Sequence, residues 1–387
     1  MLSFDNTETA FAGKSNNDLN RSYWLFKMVS NVNMVKLGAK LTPLSFKLHL
    51  PIKGIIRSTI FKQFCGGENI EDCSKTIEFL GKYKIGTIMD YSVEGKETEH
   101  DFDATAKETL ATIDKAKGNK NIPFCVFKTT GLGRFSILEK ASSDASLSTE
   151  EEKEYGNIKK RVNKICEAAF NAGVPIFIDA EESWIQQAID NLANEMMAKY
   201  NSQKAIVYNT FQLYRKDRLA YLKQSFEMAS KGNYYLGAKL VRGAYMEKER
   251  ERAKKMNYPS PIQDSKEQTD IVFDQALAFC VEHIDKIAIC AGTHNEKSSL
   301  NLTEWMQKKE IIKSNPHIYF SQLLGMSDHI SYNLAKEGYN VVKYVPYGPV
   351  QEVLPYLIRR AQENTSVKGQ TGRELSLIIK EKTRRRN

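Results

Sequence analysis

Eight short runs of apolar and β-branched residues recur along this chain, at 84–89, 123–128, 175–179, 205–210, 235–241, 287–292, 317–321 and 340–345. Between them lie segments whose apolar residues follow the 3.6-residue period of an amphipathic helix, among them 149–171, 183–200, 217–231, 271–283 and 296–309. Short apolar runs bounded by turn residues read as strands buried on both faces, as in a parallel sheet. Parallel neighbours need long crossovers, and a helix after each strand supplies them. Eight such units predict an α/β fold, a distorted TIM-like (β/α)8 barrel, rather than an open doubly wound sheet. The chain then divides into three parts. Residues 1–80 form a helical N-terminal arm broken at Pro43, Pro51 and Gly66-Gly67, residues 81–370 the barrel, and residues 371–387 a basic C-terminal helix or tail.

The residues at the C-terminal ends of these strands are polar or charged in every case. They are Asp90, Lys128, the run Asp179-Ala180-Glu181-Glu182, Gln212, the run from Lys239 through Arg242, Gly243 and Ala244 to Tyr245, Thr293-His294-Asn295, Gln322 and Tyr344. Barrel enzymes build their active sites on this face. One polar strand end is unremarkable, whereas eight in succession argue for a site.

Residues 344–364 read as a short strand, a tight Pro/Gly turn and a helix whose apolar face is Val350, Val353, Leu354, Leu357, Ile358 and Ala361. Beside that face stand Arg359 and Arg360, with Glu363 one turn after Arg359. Two guanidinium forks suit bidentate binding of a carboxylate. A solvated basic face reads the same from the pair alone. Together with Lys128, Lys239 and Arg242 they would make a cationic mouth, suited to an anionic substrate, a phosphate-bearing cofactor or both.

Other chemistries have little support. Gly131-Leu-Gly133 is only a fragment of a dinucleotide fingerprint, and P-loop, HExxH and GxSxG patterns do not occur. His294 and His317 lack partners at ligand spacing, so no metal is expected. The six cysteines form no CxxC pair and read as reduced core thiols. No apolar run is long enough to span a membrane. The first residues, with Asp5 and Glu8, lack a leader pattern, so a cytoplasmic protein is expected. The net charge of +9 is uneven: residues 19–67 carry eight Lys or Arg and no acid, and Lys380, Lys382, Arg384, Arg385 and Arg386 crowd the C-terminus. These segments suit an anionic lipid or nucleic-acid surface, or are ordinary solvated helix. No RNA-binding aromatic pattern or helix-turn-helix signal accompanies them, so nucleic acid is not expected.

Four blocks in this order resemble the signature of the proline dehydrogenases, FAD-dependent flavoenzymes on a distorted (β/α)8 barrel. They are Lys239-Leu-Val-Arg-Gly-Ala-Tyr-Met-Glu-Lys-Glu-Arg250, Gly292-Thr-His-Asn295, Ser321-Gln-Leu-Leu-Gly-Met-Ser-Asp328 and the stretch from Tyr344 to Asn364. The resemblance covers residues 80–370, is closest to single-function members, and leaves residues 1–80 without a counterpart. It implies that Arg359, Arg360 and Lys128 bind the proline carboxylate, with Glu363 in support. Tyr245, Leu323 and Tyr344 would surround the pyrrolidine ring. Ala180, Gln212, Lys239, Arg242, Gly243, Ala244, Thr293 and His294 would bind the flavin, and Asp179 and Lys239 would be catalytic. Many bacterial members carry Arg where Lys239 stands, so the charge is kept and the fork lost. The implied reaction is hydride transfer from C5 of L-proline to FAD, giving Δ1-pyrroline-5-carboxylate in the first step of proline catabolism, with quinone as the final acceptor. Peripheral contact with the inner face of a bacterial membrane would follow. The alternatives are a hydroxyproline dehydrogenase, or a non-catalytic basic protein that binds membrane or nucleic acid.

Overall fold

In a computed structural model, described for all residues except 1, 32, 36, 39–40, 43–51, 94, 96, 144 and 367–369 and the side chains of 362–366 and 370–371, eight parallel strands close into a barrel. The strands are β1 (Ile85–Tyr91), β2 (Phe124–Lys128), β3 (Ile176–Asp179), β4 (Val207–Gln212), β5 (Leu236–Val241), β6 (Ile287–Gly292), β7 (Ile318–Leu323) and β8 (Val341–Tyr347). Each lies within two residues of its sequence expectation. Closure is made by β1 on β8, in a register running from Ile85 opposite Val341 to Tyr91 opposite Tyr347.

The helices are α1 (Thr7–Ala10) and α2 (Asn16–Val29) in the arm, α3 (Ser74–Lys82) before β1, and α4 (Glu99–Ala116) after it. Next come α5 (Phe135–Ala141), α6 (Thr149–Ala172), α7 (Ser183–Tyr200), α8 (Arg218–Lys231), α9 (Met246–Met256) and α10 (Lys266–Glu282). The last are α11 (Glu296–Lys308), α12 (Asp328–Lys336), α13 (Leu354–Ser366) and α14 (Gln370–Arg384). Local chemistry sets many of their ends. Ser148 and Glu151 form a capping box at the start of α6, and Gly173 ends it with φ of 68°. The start of α7 is capped from a distance: buried Glu249 on α9 accepts from Ser183 N at 2.7 Å and from Ser183 Oγ at 2.6 Å. That contact fixes α9 against the loop after β3.

Strand alternation sorts side chains between two barrel cores. Ile85, Met89, Cys125, Ile176, Ile178, Leu240 and Val345 face outward and pack under the helices. Ile88, Phe124, Val126, Phe177, Tyr208, Cys290, Val342 and Tyr344 face inward. Phe124 stacks on Phe177 at 4.5 Å and meets Tyr208 and Tyr319 edge-on, which fills the barrel with an aromatic plug. Burying each such ring stabilises the fold by about 1.5–3 kcal/mol. The charged strand ends rest on this plug.

A third core joins the arm to the last helices. Phe11, Leu19, Phe26, Phe61 and Phe64 pack against Val353, Leu357, Ala361, Leu377 and Ile378, behind the helix that carries Arg359 and Arg360. Three of the basic C-terminal residues, Lys380, Arg384 and Arg385, are committed here. Arg385 donates to Lys14 O at 2.7 Å and to Phe11 O at 2.9 Å, Lys380 donates to Asp5 O at 2.9 Å, and Arg384 and Arg385 pair with buried Glu381. The C-terminal segment, expected as a helix or tail, is a helix packed on the arm. Of the basic stretch 19–67, Lys36, Lys40 and Lys47 lie outside the described residues.

Candidate active site

At the C-terminal ends of the strands, alternation turns Asp90, Lys128, Asp179, Thr210, Lys239 and Tyr344 toward the barrel axis. Asp179 is the hub. Its Oδ1 lies 2.5 Å from Lys239 Nζ, its Oδ2 accepts from Tyr344 Oη at 2.9 Å, and Thr210 Oγ1 stands 3.4 Å from Oδ1. The Lys239 ammonium lies 5.2 Å from the centre of the Phe177 ring and 4.7 Å from that of Tyr344. A buried ion pair persists only where its charges are well satisfied. Here the carboxylate has two strong donors and the ammonium has two ring faces.

Asp90 lies beside this pair. Burial raises its pKa above the usual carboxylate range, and the Asp179 charge adds to that, against the pull of Lys128, Ser92 and Lys239. Tyr344 is held well above its usual value, by burial first and then by the charges of Asp179 and Asp90, so it donates as a neutral phenol.

The cationic wall stands over this floor. Tyr245 lies within electrostatic reach of Lys128, Glu181, Glu182 and Arg359 together. Arg360 is only 8% exposed, its guanidinium 5.3 Å from the centre of the Tyr356 ring, so it is not part of a solvated face, while Arg359 is half-buried. Leu323 packs against both the interior core and the arm core, and so lines the site from β7. Glu363 belongs to α13, but its side chain lies outside the described residues.

The expected cofactor residues form two flanks. On one, Gln212 Nε2 donates to Glu181 O at 2.6 Å, next to Ala180. On the other, Arg242 donates to Asp270 at 2.6 Å, to Thr293 Oγ1 at 2.6 Å and to Ser298 at 3.0 Å, while His294 Nδ1 meets Ser327 Oγ at 2.9 Å. Burial, reinforced by the charges of Lys343 and Arg360, lowers the His294 pKa to about 3, so the ring is neutral near pH 7. Gly243 lies between, with φ of 139°, where a Cβ would strike the Tyr214 ring at 2.4 Å. Fixed cations, a neutral imidazole and the bare backbone of Gly243 and Ala244 at the mouth fit a planar flavin carrying a pyrophosphate.

Gln322 corrects the list of strand-end polar residues. It faces the helix layer, donating to Thr293 O at 3.1 Å and accepting from Ser331 at 2.8 Å. Period-two alternation gives the interior place to Leu323. Tyr356, and Glu181 of the strand-end run, also gain a place here. Tyr356 is buried one helical turn before Arg360, and its spacing from the arginines was the available signal. Glu181 accepts from Thr130 N at 3.0 Å and from the Thr130 hydroxyl, two residues past Lys128. Burial raises its pKa to about 7.

Comparison with known proteins agrees with the barrel fold. The family model described as "Proline dehydrogenase" matches residues 73–373. The chain is 34% identical to "Proline dehydrogenase 1, mitochondrial" of Dictyostelium discoideum, over 98% of this chain and 74% of that protein. It is 33% identical to "Carbapenem antibiotics biosynthesis protein CarD" of Pectobacterium carotovorum subsp. carotovorum, over 86% of each. Its fold matches that of proline utilization A from Bdellovibrio bacteriovorus with a TM-score of 0.73 at 19% identity, covering 93% of this chain and 38% of that one.

Proposed function

The chain belongs to the proline dehydrogenase family, and from that premise we propose that it oxidises L-proline to Δ1-pyrroline-5-carboxylate, with FAD as the hydride acceptor and a quinone as the final oxidant. The observation that carries this reading is the pairing of Asp179 with both Lys239 and Tyr344, with Lys128 and Arg359 in electrostatic reach of Tyr245 and Arg360 in reach of His294. Arg359, Arg360 and Lys128 bind the carboxylate, each charge-assisted hydrogen bond contributing about 1.5–3 kcal/mol. Tyr245, Leu323, Tyr344 and Tyr356 enclose the ring and exclude water. FAD, when bound, would supply a planar acceptor for the hydride, the hydrogen that leaves C5 with the electron pair of the C5–H bond.

This chain's residues do the positioning. Asp179 holds Lys239 inside the barrel as a fixed cation and turns the Tyr344 phenol toward the axis. Thr293, His294, Arg242, Gln212, Ala180, Gly243 and Ala244 form the cofactor flanks, and Glu363 supports the arginine pair. The substrate ammonium loses a proton to water before the hydride leaves, and the freed nitrogen lone pair then forms the C5=N bond, whose remaining N–H proton also passes to water.

Peripheral attachment to the inner face of a bacterial membrane completes the proposal. No helix of the described residues is long and apolar enough to cross a bilayer. The arm shows Trp24 at 58% and Ile55 at 65% exposure, and Lys27 lies 5.1 Å from the centre of the Trp24 ring. This mixture of apolar and basic groups suits an anionic interface.

The test is direct. Purified protein should be yellow, reduce a dye in the presence of L-proline, and release pyrroline-5-carboxylate that an aromatic amino-aldehyde traps as a chromophore. A colourless protein that yields no trapped product overturns the reading.

A further inference from the structure

Lys343 is fully buried in β8, outside the ring of side chains that face the barrel axis. Alternation places it with Val341 and Val345, facing the helix layer. Its ammonium lies 2.9 Å from Asp328 Oδ1 and donates to the carbonyls of Leu323, at 3.3 Å, and Met326, at 2.5 Å. All three protons of the ammonium are thus used. The second oxygen of Asp328 takes Lys14 of the arm at 2.9 Å.

The segment gripped by this chain of charges is 323–327, the last residue of β7 and the loop that follows it. Its other anchors come from equally distant parts of the sequence. Gln63 Nε2 donates to Gly325 O at 2.7 Å, and a Cβ at Gly325 would lie 2.0 Å from Gln63 O. Ser327 N donates to Glu374 on α14, and Ser327, a non-glycine residue with φ of 50°, presents its hydroxyl to His294. Leu324 N donates to Tyr344 O at 2.9 Å. One end of the loop therefore sets Leu323, and the other sets His294.

Burying an ammonium and a carboxylate costs several kcal/mol of desolvation, and apolar residues of similar volume often fill such a place at no loss of stability. The ionic solution has one property an apolar plug lacks: it directs two backbone carbonyls and one carboxylate to fixed points. We propose that Lys343 is a positioning residue. With Asp328 and Lys14 it fixes the segment 323–327, and through that segment the placement of Leu323 against the substrate ring and of His294 on the cofactor flank. The consequence for substrate rests on the proline-oxidising reading above. The linkage also makes the N-terminal arm part of the construction of the site.

Full-length protein loaded with FAD is compared as wild type, Lys343→Met, Lys14→Met and Lys14→Arg. Lys14 lies at the edge of the network, so Lys14→Met tests the linkage even where Lys343→Met does not fold. Hydrogen exchange of the amides of Leu324, Met326 and Ser327 is expected to accelerate about tenfold in Lys14→Met and to recover in Lys14→Arg. The KM for proline should rise by about threefold to tenfold in Lys14→Met, with kcat changed by less than about twofold. A change that was only structural would lower the unfolding temperature without this split between KM and kcat. Unchanged loop exchange in every folded Met variant overturns the proposal, and so does faster exchange with an unchanged KM. If wild type turns over no proline, the functional reading fails, and loop exchange alone decides whether Lys14 and Lys343 fix the loop.

Discussion

Tyr344 on β8 donates its phenol proton to Asp179 on β3 across 2.9 Å of barrel interior. The bond joins a residue expected to face the substrate ring to the acid that holds Lys239. Phenol, carboxylate and ammonium then form one unit, so the shape of the ring pocket and the charge beneath it are not independent. Tyr344→Phe should therefore lower kcat as well as alter KM, because Asp179 loses one of its two strong donors. Removing one partner of a buried hydrogen bond costs about 1–3 kcal/mol. Steady-state kinetics at saturating proline checks this, and an unchanged kcat would remove Tyr344 from the unit.

Arg359→Met and Arg360→Met should each raise the KM for proline by about tenfold to a hundredfold while FAD stays bound. Both guanidiniums lie on α13, and the expected flavin flanks lie on other elements. Kinetics on yellow, flavin-replete protein decides. A KM that moves in neither variant would disprove the carboxylate assignment.

Tyr344→Ser should shift the ratio of kcat/KM values toward hydroxyproline over proline. The phenol occupies space that a ring hydroxyl would need, and serine vacates it. Overall turnover should fall, since the Asp179 contact is lost with the ring. Parallel assays with the two substrates give the answer; a constant ratio means that Tyr344 does not limit the ring pocket.

Glu181 predicts a particular pH dependence of stability. Its carboxyl, ordinarily near 4.5, titrates near 7 in the folded chain. The folded state therefore binds more protons than the unfolded state between these values. The resulting stabilisation is complete below about 4.5 and is lost as pH rises through about 7, amounting to about 3 kcal/mol at most. Thermal unfolding of wild type and Glu181→Gln from pH 5 to 8 should show wild type losing relative stability across that window. Parallel curves would show that Glu181 is ionised throughout.

Membrane attachment should depend on the arm rather than on the C-terminal cations. Trp24→Ala combined with Lys27→Glu should abolish low-salt sedimentation with anionic vesicles. Arg385→Ala should instead lower the unfolding temperature, because Arg385 holds the carbonyls of Phe11 and Lys14. Binding by Lys or Arg contributes about 1 kcal/mol each near an anionic surface and weakens with salt. Wild-type protein that stays in the supernatant at low salt rules out the attachment.

The sequence alone determined the eight strand–helix units, because local periodicity is set by the backbone and survives any tertiary arrangement. The strand-end positions of the candidate residues were legible for the same reason. Once β3, β5 and β8 were placed, alternation aimed Asp179, Lys239 and Tyr344 at one axis, and helical spacing put Arg359 and Arg360 on one turn. A single-residue step in register was enough to misplace Gln322, whose neighbour Leu323 faces inward. Tertiary structure alone decided contacts between distant segments: Lys14 with Asp328, Gln63 with Gly325, Arg385 with Phe11, and Thr130 with Glu181. No period links such residues. Barrel closure and the packing of the arm behind α13 bring them within hydrogen-bond distance, and burial then decides which charges must pair and which carboxyls keep their protons.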